Sequence, residues 1–139
     1  MPAQVDSVMQ RARGIRTLIR AEVQGATPTA LMQKAGDRWS ARDVLIHLGN
    51  WEAEAVTWFG CLLNSEPIPQ SSKPIDEWNA EHMAAYAELD AAGAVAYIEG
   101  TRQELEQVVT RITEEHLAGN PSFLGLLLMT PDHEIGHLH

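Results

Sequence analysis

The residues best suited to chemistry in this chain are its histidines, above all the pair in the string His133-Glu134-Ile135-Gly136-His137. A four-residue separation on a helix brings two imidazoles to one face, about 6 Å apart at Cβ, a distance one metal ion can bridge. The string also matches the zinc-peptidase pattern, in which the intervening glutamate, here Glu134, is the general base toward a water on the metal. Glu134 is therefore the candidate catalytic residue, although one position past His133 it could equally face solvent. Two imidazoles do not complete a site, so a third ligand must decide.

Peptidases of that kind take the third ligand from beyond the second histidine, where this sequence offers only His139. At i+2 on a helix that residue points about 200 degrees away from His137 and cannot close on the same ion. The ligand must come from upstream. His47 is the best candidate, because it falls on the inward stripe of a helix with Trp51 one turn later, and bundle cores assemble metal sites from facing helices. Three histidine nitrogens would leave open positions for water or substrate. Such a set suits zinc, nickel, copper or iron, and a divalent ion, zinc or nickel, is expected. Glu52, Glu54 and Asp132 are the candidate partners for the ring N–H groups.

The helix that carries His47 begins at Ser40, three residues before Asp43, in a capping-box-like arrangement. Its inward stripe reads Val44, His47, Leu48, Trp51, Ala55, Trp58 and Leu62, and it stops before Asn64, Pro67 and Pro69. An earlier helix spans Val5 to Val23, with Arg13, Arg16 and Arg20 on a face that reads as solvated. Gly25 to Trp39 reads as a connection with one helical turn near Leu31. Pro74 is expected in the first turn of a helix bearing Ile75, Trp78, His82, Tyr86 and Leu89, with a break near Asp90 and Gly93. A new stripe, Val95, Ile98, Leu105, Val108 and Ile112, runs to Thr113, and Gly119, Asn120 and Pro121 make a turn. In the last segment either Thr130 caps a short helix, or a longer helix is kinked at Pro131; both put His133 and His137 on helix. No alternating pattern argues for a sheet, so one all-α bundle domain over 1–139 is expected.

The bulk numbers narrow the partners. A content of 45% hydrophobic and 21% charged residues belongs to a folding globular chain, and a net charge of −9 repels phosphate backbones, so nucleic acid is excluded as a partner. The single cysteine, Cys61, can form no internal disulfide, and neither an export signal nor a membrane-spanning run is found, which together suggest the cytoplasm. Cys61 reads as a structural thiol, His82 as a packed or pocket-lining residue, His116 as solvated, and Trp51 and Trp58 as core.

The stretch from Trp39 to Leu48, Trp-Ser-Ala-Arg-Asp-Val-Leu-Ile-His-Leu, together with His133-x-x-x-His137, resembles the DinB-like (YfiT-like) superfamily. Those proteins are four-helix bundles with a Trp-Ser/Thr-x-x-Asp-x-x-x-His-Leu helix start and a late His-x-x-x-His, whose three histidines hold a metal. The resemblance implies a DinB-like four-helix bundle with His47, His133 and His137 as ligands. Trp78-Asn79 and Thr113-Glu114-Glu115-His116-Leu117 resemble the ClbS/DfsB branch, so the similarity spans nearly the whole chain in order. Members often continue the last helix for another turn or two beyond the final ligand, whereas this sequence stops at His139, which suggests a truncated chain with weakened metal affinity.

The family resemblance implies a stress-related detoxification enzyme. The ion would activate a water or thiol, giving transfer or isomerisation with a low-molecular-weight thiol such as mycothiol or bacillithiol, or hydrolysis of a small reactive electrophile. A small-molecule substrate and a homodimer are expected, with no nucleic acid and no membrane. The rival reading is a non-catalytic bundle that binds a small molecule or dimerises through a helix face, its metal structural or absent.

Overall fold

The computed structural model describes residues 1–34, 36 and 39–137. Among them the chain forms seven helices and no strand: α1 (Ala3–Gln24), α2 (Pro28–Met32), α3 (Ala41–Leu63), α4 (Ile75–Ala84), α5 (Ala91–Val109), α6 (Glu114–Gly119) and α7 (Ser122–His137). The four longest, α1, α3, α5 and α7, make the expected all-α bundle: α1 packs on α7, and α3 packs on both α5 and α7. None of the helices is long and apolar enough to cross a membrane.

Local chemistry explains the boundaries. Ser40 and Asp43 form a complete capping box, with Asp43 N–H donating to Ser40 Oγ and Ser40 N–H to Asp43 Oδ2, each at 3.1 Å. Burial pushes the Asp43 carboxyl up, but the hydrogen bonds from Arg42 and Ser40 outweigh it and hold the group below its usual range. Arg42 also donates to the carbonyls of Leu89, at 2.8 Å, and Tyr86, which ties the start of α3 to the turn before α5. Asp90 caps α5 through Gly93 N–H at 2.8 Å, the break expected there. Pro74 lies one position earlier than expected, as the N-cap of α4. The last helix takes the longer of the two forms considered, with Pro131 buried inside it. Gly49 lets α5 close on α3: a Cβ there would meet the Tyr97 ring at 2.6 Å.

Two apolar clusters fill the interior, one around Phe59, Leu105 and Phe123, the other around Ile19, Ile46 and Ile98. A buried charged set lies with them. Arg16 of α1 donates to Glu134 of α7 at 2.6 Å and lies 3.4 Å from Glu52 of α3, and Arg102 of α5 donates to Glu134 at 2.7 Å and Glu52 at 3.0 Å. Thr101 adds a hydrogen bond to Glu52 at 2.8 Å. Each long helix thus supplies one charge, and two cations balance two anions.

Of the α1 arginines read as a solvated face, Arg13 and Arg20 are exposed and Arg16 is the correction. Arg16 is 0% exposed. Arg13 and Arg20 form exposed bidentate pairs with Glu106 and Glu99 of α5. The buried face of α3 is also wider than one stripe, because Leu45, Ile46, Glu52 and Phe59 are buried while Val44, Trp51, Trp58 and Leu62 are only half-buried.

Two stability outcomes follow from this scaffold. Ser40→Ala should lower the unfolding free energy by about 1 kcal/mol in urea titration, the usual loss for an N-cap. Arg102→Met should cost about 3–5 kcal/mol, because it strands Glu52 and Glu134 on one remaining buried cation. A loss below about 1 kcal/mol for Arg102→Met would mean that the buried charges do not hold the bundle together.

Candidate metal centre

His47 comes from the second turn of α3, which the Ser40 cap positions, and His133 and His137 come from successive turns at the end of α7. The three imidazoles converge. Their ring centroids are 4.8 Å (His47 to His133), 5.1 Å (His47 to His137) and 4.9 Å (His133 to His137) apart. One nitrogen of each ring lies within 4.8 Å of those of the other two. His139, set aside as a ligand on its i+2 spacing from His137, lies outside the described residues.

The three rings fit a single divalent ion. Two nitrogens on one tetrahedral ion with bonds near 2.1 Å sit about 3.4 Å apart, and the Nε2 atoms of His47 and His133 face each other at 3.0 Å. Two nitrogen lone pairs aimed at one another repel, so that approach needs either a proton on one ring or a cation between them. The rings also favour the neutral, ligating form. Burial, then the neighbouring His133 and His137, push the His47 pKa down to about 4. Burial lowers His133 and His137 as well, with Glu134 opposing the shift at His133.

His47 is buried, His133 half-buried and His137 exposed. Trp39 lies over the His47 ring at a centroid distance of 4.7 Å. A cleft of about 500 Å³ opens beside His47 and His133, walled by Trp51, Ile75 and Met129 with Asn79 and Asp132. Trp51 Nε1 donates to Asn79 Oδ1 at 2.9 Å, which fixes that amide at the cleft wall.

The remaining candidates are placed as follows. Glu134 does not face solvent: it is 2% exposed, its Oε1 accepts from Arg16 and Arg102, and its Oε2 is buried without a partner. Glu52 belongs to the same charged set, Asp132 pairs with Arg11 at 2.8 Å, and Glu54 lines an adjoining cleft. None of these three carboxylates is hydrogen-bonded to a ligand ring among the described residues. Trp51 and Trp58, expected in the core, line clefts. His82 stacks on Trp78 at 3.7 Å, a packed residue outside the triad. His116 is half-buried, caps α6 with Thr113 and stacks on Phe123, so the solvated reading was wrong. Cys61 is half-buried and free.

The depressed imidazole pKa values fix a pH dependence for chelator-treated protein. Above about pH 6.5 the three rings are neutral in both the folded and unfolded chain. As pH falls from there toward 4, the unfolded chain takes up protons that the folded site resists, so stability is lost over that window. Between pH 7 and pH 5 the melting temperature should fall, and it should fall less in His47→Asn. Parallel pH profiles for the two proteins would show that His47 carries none of the effect.

No curated protein and no solved structure matches the chain. The family model described as DinB superfamily matches residues 6–139, a span that contains all three histidines and the capped start of α3. The chain belongs to the DinB superfamily.

Proposed function

We propose that this protein is a metal-dependent enzyme acting on a small reactive electrophile, with His47, His133 and His137 holding a divalent ion, zinc or nickel. The observation that carries this reading is the convergence of three imidazoles, two of which, His47 and His133, line an open, largely apolar cleft. When bound, such an ion lowers the pKa of a water or thiol and so supplies a nucleophile at neutral pH. The rings leave the remaining coordination positions to that nucleophile.

The other residues bind and orient. Trp51, Ile75 and Met129 exclude water from one side of the cleft and accept the apolar part of a substrate. Asn79, whose carbonyl oxygen is occupied by Trp51, keeps its amide N–H groups for a substrate oxygen. Glu134 supports the site from behind. Bound to two guanidiniums, it holds the turn of α7 that carries His133, which favours an anchoring role over proton transfer. The thiol co-substrate, mycothiol or bacillithiol, belongs to the transferase form of this reading, and the hydrolase form uses water instead. A homodimer in the cytoplasm is part of the same proposal.

Elemental analysis of tag-free protein after zinc or nickel supplementation should find about one ion per chain, lost in His47→Ala. The loaded protein should then accelerate conjugation of a small alkylating agent with mycothiol or bacillithiol, and a chelator should abolish the acceleration. If added thiol changes nothing while water adducts accumulate, the hydrolase form holds. Protein that takes up no metal after supplementation overturns the enzyme reading and leaves a non-catalytic bundle.

A further inference from the structure

Next to the histidine cleft lies a second one, of about 570 Å³, between α3 and α4 on one side and α7 on the other. The two clefts share Trp51, Ile75 and Met129, so they form one continuous slot with the candidate metal centre at one end. Its far part is lined by Trp51, Trp58, Trp78, Ile68, Leu126 and Met129. The indoles form a ladder: Trp51 meets Trp78 at 4.2 Å and 33°, and Trp58 meets Trp51 edge-on at 6.2 Å. His82 continues it at 3.7 Å from Trp78.

Trp51 and Trp58 offer aromatic carbon surface and little else. Trp51 Nε1 is committed to Asn79, and Trp58 Nε1 is itself buried, so neither presents a donor to the slot. Aromatic walls opposed by Leu and Met side chains favour a flat, polarisable ring, through stacking and through thioether contact. Charge narrows the class further. Glu54 lines the slot, and the other charged side chains of the lining are already paired, Asp132 with Arg11 at 2.8 Å and Lys73 with Glu81 at 2.6 Å, so an anionic group finds no free cation among the lining residues.

We infer that the slot between α3, α4 and α7 is a binding subsite for an uncharged, flat aromatic ring, which it holds with the reacting end toward His47 and His133. The inference deepens the proposed function and rests on it for what reaction the ring undergoes; the docking of the ring does not require the metal. Bound there, an aromatic electrophile lies between the indole faces and Leu126 and Met129, and its polar substituent reaches the Asn79 amide.

The test uses the four indole N–H signals of Trp39, Trp51, Trp58 and Trp78 in ¹⁵N-labelled protein. Titration with 2-naphthol should shift the Trp51, Trp58 and Trp78 signals saturably and leave Trp39 unmoved. The anion 2-naphthoate should bind at least about tenfold more weakly, and cyclohexanol should give no saturable shift. The same 2-naphthol titration of chelator-treated wild-type protein should be unchanged, which separates this subsite from the metal reading. No saturation at the three slot indoles overturns the inference, as does 2-naphthoate binding as tightly as 2-naphthol. If 2-naphthol binds but wild-type protein takes up no metal, the subsite stands and the enzyme reading falls.

Discussion

Four buried charges, one from each long helix, are the constraint on which the bundle depends. Arg16, Glu52, Arg102 and Glu134 sit almost wholly out of water, where an unpaired charge is very costly and a paired one is tolerated only with well-placed partners. Apolar clusters on either side can slide and repack at modest expense; this set cannot. A one-residue shift of α7 would rotate Glu134 by about 100 degrees and leave two guanidiniums facing apolar side chains. The guanidiniums are also tied to backbone carbonyls, Arg16 to Ile98 and Arg102 to Ala12, so the arrangement resists change from both sides.

That register is what brings the histidines together. Glu134 follows His133 directly, and Glu52 lies five residues after His47 on α3, so the helical turns that carry the charges adjoin the turns that carry the ligands. The start of α3 is fixed separately by the Ser40 and Asp43 box and by Arg42 reaching the turn before α5. Position and orientation of His47 are thus determined by local capping, and those of His133 and His137 by long-range ion pairing. The slot beside them owes its shape to the same packing, since α7 gives Leu126 and Met129 to it and, beyond Pro131, the two ligands.

Much of this was readable in the sequence, and the misses have a common cause. Ser40 with Asp43, the Asp90 break and the His133/His137 pair are local signals, written within four residues, and each has the predicted placement. His47 was legible because its helix start is so well marked. Arg16 was not, because a charged residue on a polar helix face reads as solvated unless its partners are known, and those partners lie 36 and 118 residues away. The same holds for Glu134, whose neighbours suggested only a peptidase base or solvent. For α3, a single stripe was too narrow a description of a helix that packs against both α5 and α7. Proline in α7 left two forms open because its effect depends on whether packing re-satisfies the turn it breaks.

The three ligands differ in depth, from buried His47 through half-buried His133 to exposed His137. That gradient gives the site a direction. With the triad as the proposed metal site, a cation arriving from solvent would meet His137 first and reach His47 last. Exchange of such an ion would therefore be governed by the outermost ring, and the depth of the well by the innermost.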